Sequence, residues 1–310
     1  MRVSPLRRFL LAATVPVLLW GCAGSHPRIP EYQRNSAAAL SNANKQLESN
    51  HLDEALHLVR IALKNHQLAG DLPDSVHDMN RIGYIKNAQG EYLKALLWFQ
   101  RAALLAQIAG DPLLQAETLS LSSDTELFLK NDKQAAGSIE KGLGIIRTLP
   151  SSTPRDRIEA HLYNSYGILR LNEKRWKEAL AFFQKALGIN QRLKELKKQA
   201  GNWANIGNAY LALMNSQEAR DAFSRALRLD QKTGYVNGIA FDSEGLALAD
   251  FRLNRWQEAL QSIVVAYQIR LQQKNTQQSR HDLLLFHSIL TKHPLPLDSS
   301  LLLSWPSPGN

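Results

Sequence analysis

Side chains able to do chemistry are few and scattered in this chain of 310 residues. Nine histidines are present, yet none stands in a His-Glu-x-x-His pair, the spacing that puts two imidazoles on one helical face around a zinc ion. His281, His287 and His293 recur every six residues, which spreads them around a helix instead of lining them along one side. There is neither a glycine-rich phosphate loop nor a Gly-x-Ser-x-Gly elbow, and the single cysteine, Cys22, closes an apolar run. These absences argue against an enzyme and give no reason to expect a metal or a cofactor. What remains is one thiol, together with amides and carboxylates that could hold another molecule.

The thiol has a specific setting. Arg2, Arg7 and Arg8 precede Phe9 to Trp20, an almost uncharged apolar run of signal-peptide length that is too short to span a membrane comfortably. The run ends in Leu19-Trp20-Gly21-Cys22, which resembles the bacterial lipobox, with Trp20 standing where a small residue is usual. The resemblance implies that residues 1–21 are a lipoprotein signal peptide and that Cys22 becomes a lipidated N-terminus. It also implies a lipid-anchored protein of the bacterial envelope. Ala23 is not the Asp that favours inner-membrane retention, so the expected place is the outer membrane, facing the periplasm. Several acyl chains, each contributing about 0.8 kcal/mol per buried methylene, would anchor the chain without a membrane helix.

Loss of the three leader arginines lowers the formal charge from +9 to +6. The remaining basic residues are interleaved with acids and amides, and the densest patch, Arg192, Lys194, Lys197 and Lys198, reads as a solvated helix end. Nucleic acid is therefore not an expected partner.

The positioning elements show up as a repeat. A small residue, a large apolar one four later and another small one seven later recur as Ala55/Val59/Ala62, Ala95/Phe99/Ala102, Ala135/Ile139/Gly142, Ala179/Phe183/Ala186, Ala219/Phe223/Ala226 and Ala259/Ile263/Ala266. The leading residues stand 40, 40, 44, 40 and 40 apart. Twelve residues before each lies a landmark in a preceding helix: Gly83, Gly167, Gly207, and less typically Ala43 and Ala247. The unit Trp203, Ile206, Gly207, Tyr210, Ala219, Phe223, Ala226 resembles the tetratricopeptide repeat at its own internal spacing. A period of 40 in place of the family's usual ~34 places the likeness with the long-repeat type.

The resemblance implies an all-α fold, a right-handed α-α superhelix of about six helix pairs plus a C-terminal capping helix. The expected division is a tether at 22–34, a solenoid at 35–275, a cap at 276–293 and an irregular tail at 294–310. Gly207 and Ala219 are expected to face each other across a tight pair. The third unit has Leu121-Ser122-Ser123 in place of the glycine landmark and is followed by Leu149-Pro-Ser-Ser-Thr-Pro154, which suggests a joint dividing the array three plus three.

In this family the first helix of each pair lines the concave surface. Carried over residue by residue, that surface includes Asn80, Tyr84, Asn87, Asn164, Asn205, Asn208 and Glu244 as a partner-binding groove. Asn80, Asn164 and Asn205 resemble asparagines that hold the backbone of an extended peptide, a task suited to an amide's paired donor and acceptor. Asn80, Tyr84, Asn164 and Asn208 are expected to lie off the packing positions. Ile168, Leu171, Leu211, Leu248 and Phe251 are either helix packing or a docking strip. The implied function is a membrane-anchored scaffold or adaptor for a protein or peptide partner, in a narrower version an assembly factor. A peptide-binding sensor, or an accessory that positions a cell-wall enzyme, are the alternatives.

Overall fold

A computed structural model describes residues 31–292. Cys22, the leader at 1–21, most of the tether and the tail at 294–310 lie outside the described residues. The chain there folds as thirteen helices: α1 (Glu31–Glu48), α2 (Leu52–Ala69), α3 (Leu72–Ala88), α4 (Tyr92–Ile108), α5 (Pro112–Phe128), α6 (Asp132–Thr148), α7 (Thr153–Asn172), α8 (Trp176–Arg192), α9 (Leu196–Ala212), α10 (Ser216–Thr233), α11 (Val236–Arg252), α12 (Trp256–Gln272) and α13 (Thr276–Lys292). Successive helices pair as six hairpins, α1/α2 through α11/α12, and α13 covers the last one. No helix among the described residues is long and apolar enough to cross a membrane. The first helix begins at Glu31 instead of 35, because residues 31–34 contain neither Gly nor Pro and an acidic residue suits a helix N-terminus.

Each turn is built alike. A residue with left-handed backbone recurs every twenty positions, at 50, 70, 90, 110 and 130 and again from 174 to 274, so most units are a seventeen-residue helix and a three-residue turn. Gly70, at φ 70°, closes α2, and Asp71 beside it caps α3 by accepting from the Asp74 amide at 3.1 Å. Asp111 does the same for α5 at 3.0 Å. The four-residue excess is absorbed where Leu149 is extended, Ser152 caps α7, and α7 itself runs to twenty residues.

Inside each hairpin a large side chain on the second helix fits a small one on the first. Gly83, Gly167 and Gly207 lie beneath the rings of Phe99, Phe183 and Phe223, where an added Cβ would sit 2.5, 2.4 and 2.7 Å from ring carbons. Where the large residue is smaller, the small one grows: Ala43 with Val59, Ser123 with Ile139, Ala247 with Ile263, all buried. The tightest contact of Gly207 is with the ring of Phe223, one turn on from the buried Ala219. The same ring also meets Gly245 of the next hairpin, where a Cβ would lie 2.4 Å from it. These two hairpins therefore lock to each other through the residue that locks the first of them internally.

The third unit is regular by the same rule, since Ser123 complements Ile139 and satisfies its hydroxyl by donating to the Ser120 carbonyl at 2.7 Å. The suggested three-plus-three joint is bridged: Ile139, Leu143 and Ile146 share one core cluster with Ile158 and Leu162.

Candidate binding groove

The first helices α3, α5, α7, α9, α11 and α13 lie side by side, each touching the next, and form the inner face of the superhelix. Polar residues on this face bond mostly to one another. The Asn80 amide donates to the Thr118 hydroxyl at 3.0 Å and accepts from it at 3.1 Å, and Asn87 donates to Thr125 at 2.7 Å. Asp124 of α5 meets His161 and Ser165 of α7, each at 2.7 Å. The Asn164 carbonyl oxygen accepts from Asn202 at 3.0 Å and from Asn205 at 2.8 Å.

These bonds correct part of the sequence reading. Asn80, only 4% exposed, is a packing residue because α5 supplies a partner thirty-eight positions on. Asn87 is tied in the same way, and Asn164 is half-buried at the centre of a three-amide cluster. Tyr84 is 58% exposed, and Asn208 is half-buried. Glu244 is committed to Arg270 at 2.6 Å and to His281 at 3.0 Å. Leu211 is buried, and Ile168, Leu171, Leu248 and Phe251 pack against core clusters, so they serve helix packing.

Two clefts open on the inner face. One of about 380 Å³ lies among α5, α7 and α9, with Glu117, His161, Asn164 and Asn202 in its wall. The other, of about 670 Å³, lies between α9 and α11 and reaches the ends of α10, α12 and α13. They share Lys197, Lys198, Gly201 and Asn205, so α9 joins them into one groove. Gly201 is exposed, and an added Cβ would meet nothing within 4 Å. Glycine inside a helix costs about 1 kcal/mol relative to alanine, and no packing contact at Gly201 accounts for it. A bare backbone there lets another molecule approach the helix closely.

Sequence reasoning missed a second pattern. A residue in the last turn of a second helix meets one twelve positions later on the next first helix: His66 with Asp78 at 2.7 Å, Asn190 with Asn202 at 2.7 Å, and Arg270 with Asp282. The equivalent pair between α10 and α11 is Asp230 and Asp242, 4% and 1% exposed, on the wall of the larger cleft. Burial pushes the Asp230 carboxyl up to about 6 despite Lys197 nearby, and burial beside Asp230 pushes Asp242 up to about 8. Asp230 fits only because residue 238 is glycine, whose Cβ position would lie 1.7 Å from its Oδ2.

Glu244, His281 and Asp282 also converge closely enough to suggest a cation, but the Arg270 guanidinium already bonds both carboxylates. On the outer side, Leu93, Leu97, Leu104 and Ile108 leave an apolar stripe along α4, each more than half exposed.

Comparison with known proteins agrees with this geometry. Tetratricopeptide-repeat profiles match residues 40–112 and residues 157–232. No curated protein matches the chain by sequence. Among solved structures, BtubC from P. vanneervenii is similar over 90% of this chain and 100% of its own, at 18% identity and a TM-score of 0.56. A Signal Transduction ATPase with Numerous Domains protein with a tetratricopeptide repeat sensor, from Pyrococcus horikoshii, gives 0.61 at 16% identity. That match covers 84% of this chain and 44% of the other. A Rap protein complexed with Competence and Sporulation Factor also gives 0.61, at 10% identity, over 83% of this chain and 75% of its own. With both matched stretches falling on the hairpins whose glycine and phenylalanine landmarks interlock, the chain is a tetratricopeptide-repeat protein.

Proposed function

We propose that this chain is a lipid-anchored scaffold or adaptor of the bacterial envelope that holds an extended segment of a partner protein in the groove formed by α5, α7, α9 and α11. The observation that carries the reading is the meeting of two clefts at Gly201 and Asn205, a bare stretch of helix backbone flanked by an amide. An extended segment needs both features, because its own backbone must come close and find donors and acceptors. Tetratricopeptide proteins generally mediate protein–protein interactions, which favours a protein partner over a small molecule. An anchor at Cys22 would hold the solenoid at the inner leaflet of the outer membrane, and recruitment during envelope assembly fits that position.

Two experiments test the reading. A photocrosslinking residue at Asn205 should capture a partner in the native host, while one at Leu97 on the outer α4 stripe should not; capture from Leu97 alone would move the working surface to the outside. Cys22→Ser should abolish incorporation of labelled fatty acid, and unchanged labelling would remove the anchor.

A further inference from the structure

We propose that Asp230 and Asp242 form a receptor for a guanidinium or ammonium group of a ligand entering the larger cleft. This goes beyond the groove reading, since it concerns one charged group and holds whichever molecule carries it.

At the neighbouring junctions the paired positions complement each other, imidazole with carboxylate, amide with amide, and guanidinium with carboxylate. Only between α10 and α11 do two acids meet. The next junction shows what is missing: Arg270 stands forty residues after Asp230, Asp282 forty after Asp242, and there the chain supplies its own cation.

No other residue donates a hydrogen bond to either carboxylate oxygen of Asp242 or to Oδ1 of Asp230, although the residues are 99% and 96% buried; the two carboxyls have only each other, through the proton they keep. A buried unpartnered carboxylate is costly, and a charge-assisted donor is what relieves it. No cation among the described residues bonds either acid, although Lys197 lies near enough to Asp230 to act through space. Lys197 of α9 holds its Nζ 3.8 Å from the centroid of the Tyr235 ring, and Arg270 of α12 is spent on Glu244 and Asp282; Lys198 faces the same cleft and forms no ion pair with either acid among the described residues. Tyr235 and Phe241, both partly exposed on the cleft wall, add aromatic faces on which a cation can rest.

With no ligand the pair relieves its repulsion by keeping a proton at neutral pH. An entering cation displaces that proton, so binding must strengthen as pH rises through the neutral range.

The test uses the intact chain and defined probes: a glycine pentapeptide with blocked, uncharged termini and a central arginine, the same peptide with norleucine, and agmatine. Calorimetry near neutral pH, in buffers of different ionisation heat, reads affinity and proton release together. The arginine peptide should bind roughly tenfold to a hundredfold more tightly than the norleucine peptide, the worth of a charge-assisted hydrogen bond, with release of up to about one proton. Asp242→Asn should abolish both the preference and the release, and Asp230→Asn should weaken both; either change removes repulsion without changing shape. Agmatine matching the arginine peptide identifies a free amine as the source, and a tighter peptide identifies a polypeptide segment. Equal binding of the arginine and norleucine peptides, absence of binding by every probe, or a preference that survives both Asn variants overturns the proposal. Crosslinking from Asn205 is unaffected by that result, so the two readings fail separately.

Discussion

Two glycines six residues apart on α9 respond to the same change in opposite directions. At Gly207 an added Cβ lies 2.7 to 2.8 Å from carbons of the Phe223 ring, closer than real side chains approach. That ring is fully buried and Gly245 confines its opposite edge, so it cannot swing aside. Overpacking of this kind costs about 1–3 kcal/mol, and the better helix propensity of alanine returns about 1 kcal/mol. Gly207→Ala should therefore destabilise by up to about 2 kcal/mol, and Gly207→Leu by more. At Gly201 nothing opposes the new methyl, so Gly201→Ala should stabilise by up to about 1 kcal/mol. Urea unfolding followed by circular dichroism reads both variants on one scale. Phe223→Leu in the Gly207→Ala background should recover part of the loss relative to Phe223→Leu alone, because the smaller side chain leaves room for the methyl. Equal shifts for Gly201→Ala and Gly207→Ala, or full additivity in the double variant, would refute the interlocking of Gly207 with the Phe223 ring.

Three other outcomes follow from buried polar groups. Folded Asp242 titrates at about 8, against about 4 in an unfolded chain, so its contribution is complete at low pH and is lost as pH rises towards 8. Wild type should accordingly lose roughly 1–3 kcal/mol relative to Asp242→Asn between about pH 5 and pH 8, and parallel urea-midpoint curves would contradict this. Asn80→Ala should cost about 1–3 kcal/mol by leaving the buried Thr118 hydroxyl without its partner, whereas Tyr84→Ala should stay within about 0.5 kcal/mol; thermal melts that rank them the other way would restore the exposed placement of Asn80. Arg270→Met should cost about 3–5 kcal/mol, because it strands Asp282 and Glu244, and a melting temperature equal to wild type would show that the cation is not needed there.

The helices and their pairing were legible because close helix approach demands small residues at fixed spacing, and that demand leaves a period of 40 in the sequence. The finer twenty-residue period of the turns was half hidden. Gly70, Gly90, Gly110 and Gly234 announce a left-handed residue, but Lys130, Lys174, Lys194 and Met214 occupy the same conformation without a chemical mark. The groove face was found, yet the roles of its asparagines were not. Whether an inward amide greets a ligand or a neighbour depends on a residue about forty positions away, as Thr118 shows for Asn80 and Asn202 for Asn164. Asp230 and Asp242 look like ordinary helix acids until the twelve-residue pairing across the junction is known. Lys197 and Lys198 read as a solvated helix end, although both line the groove.

The groove itself is tested most directly by Gly201→Leu. A leucine there meets no protein atom near its Cβ and improves helix propensity, so the chain should stay folded and melt no lower than wild type, while its side chain projects where the two clefts meet. Quantitative recovery of the partner crosslinked in the native host, compared between this variant and wild type, should fall by roughly tenfold or more, as blocking a central contact implies. Full recovery by a folded Gly201→Leu chain would contradict the account and leave the groove without a binding role.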